Sequence, residues 1–293
     1  MYFSIYSHNI PVWGERQSLI YDLQHEGLIR IPNALYGLLA ALRERSVDEI
    51  KAGLCAEDGR AMDKYMDFLR EKDLGVFAGR RLPFAPLDLQ WHCPSLVSTA
   101  VLEYGFEGYS LAGVLEQLNG LLCKNVELRL SNVAAHREEL SRLLEIIERG
   151  VFSYLVVWLF DEAPELRAVI ETESAKAAEV YILNGQPVEE TPVDQYIVNM
   201  NYFAEAQGRH PYFNKRVCVS GAGSIKRCLT HGESFGQVGE RALADVIRDP
   251  VFTEWWDVHP GMIEDLGGSA FRYAIYSNRA LVRTTNNQYR YKN

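Results

Sequence analysis

Five cysteines, seven histidines and a scatter of acids are the residues in this chain whose types could do chemistry. The cysteines are Cys55, Cys93, Cys123, Cys218 and Cys228, and no two of them stand in a C-x-x-C pair. An iron–sulfur cluster draws on thiolates, usually four of them, so neither a cluster nor any other resident cofactor is expected. Cys218 and Cys228 fall on the arms of a predicted hairpin, Lys215–Val219 and Ser224–Cys228, turning through Gly221-Ala222-Gly223. Strand thiols are either small buried hydrophobes or part of a metal site, and metal sites are normally signalled by closely paired ligands. The histidines (His8, His25, His92, His136, His210, His231 and His259) form no H-x-H or H-E-x-x-H pair, so no metal site is expected from them.

Among the acids, Glu103, Asp161 and Glu162 fall at the ends of predicted strands, where βα folds keep their catalytic groups. Glu127 and Arg129 alternate within another strand and so share a face; they either line a cleft or form a structural ion pair. His136 opens a predicted helix and is expected to face water, and His210, before Pro211, suits a turn. Lys215, Arg216, Lys226 and Arg227 make a basic spot on the hairpin, either a solvated face or a seat for a carboxylate or an acidic partner. Gly221-Ala222-Gly223 joins two strands instead of opening a helix, which weakens it as a phosphate loop. No G-x-S-x-G nucleophile elbow occurs.

The elements that must position these groups read as three segments. With 293 residues and 47% hydrophobic content, the chain is long enough for two or three cores. A net charge of −9 speaks against a nucleic-acid partner, because phosphate binding needs a basic face. No apolar stretch approaches the roughly 20 residues that span a bilayer, and Met1-Tyr-Phe-Ser-Ile lacks the basic start of a signal peptide. Free thiols without an export signal fit a cytoplasmic protein.

From the N-terminus, Tyr2–Ser7, Ile10–Trp13 and Ser18–Leu23 predict an antiparallel sheet of about three strands. Asn33 then suits the N-cap of a helix bearing Leu35, Leu38, Leu39 and Leu42 on one face. Ser46 and Glu49 form a capping box for a second helix. A third, from about Gly59 to Lys72, carries Met62, Tyr65, Met66 and Leu69, and Gly75–Gly79 reads as a closing strand. Between about 95 and 190, strands at 96–102, 126–130, 154–160 and 179–183 alternate with helices at 111–122, 134–149 and from Pro164. That alternation predicts a parallel sheet or a partial βα barrel, too short for eight units.

Two C-terminal stretches are distinctive: His210 to Cys228 with Ser234-Phe235-Gly236, and Met262 to Arg279. They resemble the iron–sulfur (SPASM) domain of radical-SAM peptide maturases, especially the type beside ATP-grasp ligases. There the second stretch reads I-D-x-C-x-x-C-E-F-R-Y-x-C-x-D-N-R; at the three cysteine positions this chain has Leu266, Ser269 and Ile275. The loop after the first barrel strand, where the family holds a second cluster, reads Glu103-Tyr-Gly-Phe-Glu-Gly-Tyr-Ser without a cysteine. Tyr6-Ser, Ile20-Tyr-Asp-Leu, Ile31-Pro-Asn and Tyr65-Met-Asp-Phe-Leu are similar to the N-termini of the same maturases, and strands followed by three helices resemble their winged-helix leader-peptide recognition element (RRE).

The resemblance implies a degenerate, pseudo-radical-SAM protein of mixed α/β and α+β class. It divides into a winged-helix recognition domain over 1–88, a truncated partial βα barrel over 95–190 and a SPASM-like domain over 191–293. It implies a non-catalytic subunit that binds the leader of a ribosomally made precursor peptide and presents it to a separate modifying enzyme, a metal-dependent oxidase among the options, in a hetero-oligomer. Binding would be β-augmentation. The peptide would pair with a free third strand (Ser18, Leu19, Ile20, Tyr21, Asp22, Leu23) and lie against Lys64, Tyr65, Phe68 and Glu71 of the third helix. Tyr65 and Phe68 are equally readable as plain core residues. Two other functions are open: a repurposed enzyme using Glu103, Glu127 and Arg129, and a winged-helix DNA-binding regulator, which the acidic balance disfavours.

Overall fold

The N-terminal chain folds into two small antiparallel pairings instead of one sheet. Tyr2–Ile5 (β1) pairs with Gly75–Ala78, while Asn9–Val12 (β2), Ser18–Asp22 (β3) and Gly27–Ile31 (β4) form a meander in the order β2-β3-β4. The computed structural model describes residues 1–160, 164–183, 196–284 and 288–292; Asp161 and Glu162 lie outside the described residues. The strand expected to be a free edge is the central one. Ser18–Asp22 is hydrogen-bonded on both sides, because Gly27–Ile31 adds a strand that the sequence pattern did not announce.

Three helices follow: Asn33–Leu42 (α1), Val47–Lys51 (α2) and Ala56–Glu71 (α3). Pro32 occupies the N-cap of α1, and Asn33 instead ties the meander together, its Nδ2 donating to Gly14 O at 3.0 Å and its Oδ1 accepting from Ser18 Oγ at 2.7 Å. The Ser46–Glu49 capping box is present at α2. Period-two alternation sends Ile20 and Ile31 into a core with Leu35, Leu39, Met62, Met66 and Leu69. Leu19, Tyr21 and Leu23 point the other way, into a second core made with Phe203, Ala270 and Ala274 from the far end of the chain. The meander is therefore covered on both faces.

Gly75–Ala78 (β5) closes this unit onto β1. The middle of the chain is an open six-stranded sheet, not a barrel. Thr99–Tyr104 (β6), Asn125–Leu130 (β7), Tyr154–Leu159 (β8) and Ala177–Ile182 (β9) run parallel in that order. Leu111–Gly120 (α4), Arg137–Arg149 (α5) and Pro164–Glu173 (α6) are the crossovers. Arg216–Val219 (β10) then adds parallel to β6 on its other side, with Ile225–Lys226 (β11) antiparallel beyond it. Ala100, Leu102, Val126, Leu128, Leu130, Leu155 and Val157 pack under the helices in the largest core. Ten α-helices occur among the described residues, and none is long and apolar enough to cross a membrane.

The C-terminal stretch seats the meander. The turn after β2 docks on residues 268–272: Glu15 N donates to Gly268 O at 2.9 Å, and Arg272 donates to Trp13 O at 2.7 Å. Gly14 must lack a side chain there, since a Cβ would lie 2.6 Å from both Ala270 N and Gln17 O.

Candidate functional site

The position of the peptide-binding residues expected from sequence divides cleanly. Ser18, Leu19, Ile20 and Tyr21 are fully enclosed and Leu23 nearly so. Tyr21 stacks edge-on against Phe203, 4.9 Å between centroids, and its hydroxyl donates to Ala270 O at 2.8 Å. These residues join two parts of the protein and are not available to a ligand. Asp22 is half-buried at the end of β3, its Oδ1 accepting from Gln24 N and His25 N. The helix residues are different. Tyr65 and Phe68 are half-buried at the margin of the core, and Lys64 and Glu71 are exposed on the same helix. Ile29 of β4 is half-buried against that same core. The outer edge of β4 carries no strand among the described residues. Ile29, Tyr65 and Phe68 all pack at the margin of the same core.

The second candidate surface is the face of the central sheet opposite its helices. Register aligns Cys218, Val101, Glu127, Val156 and Glu179 in one row, and Glu103, Arg129, Trp158 and Tyr181 in the next. Glu127 and Arg129 form a half-buried ion pair at 2.8 Å on that face. Glu103 Oε2 accepts from Gly221 N at 3.2 Å, fixing the hairpin turn to the end of β6. Trp158 and Tyr181 stack at 4.2 Å, and the indole Nε1–H finds no acceptor among the described residues.

The expected basic spot on the hairpin is not a solvated face. Lys215 Nζ donates to Cys93 O and Ser95 O, and Lys226 Nζ to His231 O. Arg216 stacks on Tyr212 and donates to Tyr276 Oη at 2.9 Å; Arg227 is sandwiched by Phe235 and Trp255 and donates to Phe252 O. These cations satisfy carbonyls of the surrounding loops, which explains why they sit inside an acidic protein.

Buried titratable groups are mostly inert. Burial pushes the Cys218 thiol up to about 12, and Cys228 is buried beside Tyr212 Oη and Thr230 Oγ1, both at 3.3 Å. His210 is buried, its pKa pushed down to about 3, with Nδ1 accepting from Tyr212 N and Phe213 N in a turn. His136 stacks on Phe106 at 4.7 Å and is not simply solvated. At the three positions where the resembling family has cysteines, Leu266 is buried, Ser269 Oγ accepts from Phe271 N and Ile275 packs against the C-terminal core.

One group escaped the sequence reading. Glu205, on the short helix Met200–Ala206, is raised to about 7 by burial, although Asn214 donates to it at 2.8 Å. It lines a pocket of about 570 Å³ with Trp91, His92, Cys93 and Lys215. Its neighbours in sequence, Phe203, Ala204 and Ala206, are all buried, and that apolar context was the only available signal.

No family model and no curated protein matches this chain. Among solved structures it is similar to BtrN in complex with AdoMet and 2-DOIA, at 13% identity and a TM-score of 0.30, over 59% of this chain and 92% of that one. It is also similar to Streptococcus suis SuiB, at 9% identity and a TM-score of 0.20, over 85% of this chain and 89% of that one. The S-adenosylmethionine-bound SuiB gives the same identity and score.

Proposed function

We propose that this chain is a non-catalytic peptide-recognition subunit, which holds an extended leader of a ribosomally made precursor peptide for a separate modifying enzyme. The single observation carrying the reading is the outer edge of β4 (Gly27–Ile31), which carries no strand among the described residues and whose Ile29 shares a core with half-buried Tyr65 and Phe68. An exposed edge presents unsatisfied N–H and C=O groups that an added strand would pair, with affinity from the backbone and selectivity from the helix side chains. In this reading the N-terminal unit is an RRE-like winged helix whose binding edge is β4 instead of β3. The central sheet is a truncated relative of the radical-SAM barrel and the C-terminal stretch a degenerate SPASM-like region. The cysteine-free loop at Glu103–Ser110 and the residues Leu266, Ser269 and Ile275 support that part of the reading. Tethering a substrate raises its effective concentration at a partner's active site without chemistry in the holder.

The acid–base alternative has less behind it, since Glu127 is engaged by Arg129 and Glu103 by the hairpin turn. Fluorescence anisotropy with leader peptides encoded beside this gene tests the proposal. Saturable binding that weakens at least tenfold in Phe68→Ala is the expected result. No binding by folded protein, or binding indifferent to Phe68→Ala and Tyr65→Ala together, would remove it.

A further inference from the structure

The geometry points to a transition-metal site, of the zinc type, formed by His8, Asp22 and His25. Asp22 and His25 are three residues apart in the turn after β3, and the meander brings His8, fourteen residues before Asp22, up to them. Asn9 of β2 pairs in register with Asp22 of β3, and Leu23 N donates to His8 O at 3.0 Å. These backbone contacts hold the turn before β2 against the turn between β3 and β4. One ligand atom from each residue lies within 4.8 Å of the other two. Around a tetrahedral zinc ion, ligand atoms about 2.0–2.1 Å from the metal stand roughly 3.4 Å apart. Small side-chain rotations of the two imidazoles close that difference.

The chemistry of the set is that of zinc and its neighbours. Two imidazoles and one carboxylate are borderline ligands that suit Zn²⁺, Co²⁺ and Ni²⁺ better than Ca²⁺ or Mg²⁺, which want more oxygens. The Asp22 carboxylate is already oriented by hydrogen bonds with the His25 backbone and ring and with Gln24 N. Oδ1 takes both backbone N–H groups at 3.2 and 3.0 Å, so Oδ2 is the oxygen aimed at His25 Nδ1, 2.8 Å away. Backbone donors on the non-ligating oxygen are the outer-shell support that metal-binding carboxylates commonly have. The His8 ring is held from behind by stacking on Tyr6 at 5.4 Å and 17°. His25 is exposed, which leaves an entry path and a fourth position for water. On binding at Nδ1, the ion takes the place of the hydrogen bond between His25 and Asp22 Oδ2, and the neutral ring carries its one proton on Nε2.

The test uses the full chain, free of any affinity tag and stripped with a chelator, titrated with Co²⁺ and then with Zn²⁺. One equivalent of Co²⁺ should bind with visible d–d bands and without the near-ultraviolet charge transfer of a thiolate. Zinc should displace it. His8→Ala, His25→Ala and Asp22→Asn should each weaken Co²⁺ binding at least tenfold, while their metal-free melting temperatures stay close to that of the parent. Thiolate charge transfer would put the metal on Cys55 or Cys93 and overturn the assignment. So would affinities unchanged in the three variants, or weak non-saturating uptake marking adventitious ions only.

Discussion

Replacing Tyr21 by phenylalanine separates the two positions that the strand Ser18–Asp22 can be assigned. The substitution keeps the ring, its 4.9 Å edge-on contact with Phe203 and its full enclosure, and removes one hydroxyl. That hydroxyl is the donor to Ala270 O at 2.8 Å, across the boundary between the meander and the C-terminal stretch. Its loss leaves a buried carbonyl without that donor, a cost of about 1–3 kcal/mol. Taking about 2 kcal/mol, and roughly 2–4 °C per kcal/mol for a large domain, the melting temperature should fall by roughly 4–8 °C. Tyr21→Ala, which also removes the ring, should cost about 3–5 kcal/mol. Scanning calorimetry with urea titration gives both numbers, and anisotropy with a leader peptide gives the affinity of whatever remains folded. A Tyr21→Phe protein as stable as the parent to within about 0.5 kcal/mol, but altered in peptide affinity, would refute the central placement of this strand.

Gly14→Ala should destabilise by about 1–3 kcal/mol through overpacking, because the new methyl group meets the backbone at Ala270 and Gln17; urea midpoints will show it. Glu205 carries a folded pKa of about 7, above its unfolded value, so the folded state binds the extra proton and stability should fall as pH rises from about 4.5 to 7. The total is on the order of 3 kcal/mol, and Glu205→Gln should flatten that slope in melts taken across the range. His210 works in the opposite sense: its folded pKa of about 3 lies below the unfolded one, so its contribution is full above about pH 6.5 and is lost as pH falls towards 3. His210→Asn keeps an acceptor for the turn and should lessen the acid sensitivity. Glu127→Ala breaks a half-buried pair beside solvent and should cost no more than about 1 kcal/mol in chemical denaturation.

Strands β6–β9 were legible because they are short apolar runs alternating with helices that carry a clear apolar stripe, whereas β10, which read as a hairpin arm of the C-terminal segment, joins the same sheet beside β6. Leu140, Leu143, Leu144 and Ile147 on α5 and the Ser46–Glu49 box are local signals that tertiary context did not override. Strand β4 was not legible. Gly27-Leu-Ile-Arg-Ile has its outward residue Arg30 near one end and no break at a glycine turn; the preceding reversal puts Glu26 at a φ of +54° instead. An Asx turn at Asp22 makes that reversal possible, and the aspartate two and three residues before its backbone donors was the cue. With β4 unseen, its inner neighbour looked like an edge, whereas it is hydrogen-bonded on both sides. The hairpin cations misled for a related reason: charge is read as solvated in a sequence, whereas Arg216 and Arg227 are spent on loop carbonyls and aromatic rings that come together only in three dimensions. Likewise no spacing rule joins His8 to His25, because strand register is what brings them close.

Because the meander is clad on both sides, a strand laid along β4 would be read twice. Its alternate side chains would meet Ile29, with the α3 aromatics on that face, while those between them would meet Leu28, Arg30 and the Phe271 ring 5.6 Å from the guanidinium. A guest chain would then be screened with a period of two, one set of positions by the N-terminal helices and the other by the carboxy-terminal stretch. Under the proposed function, changes at Phe271 should alter which peptide sequences bind, even though that residue belongs to neither the edge nor its helix.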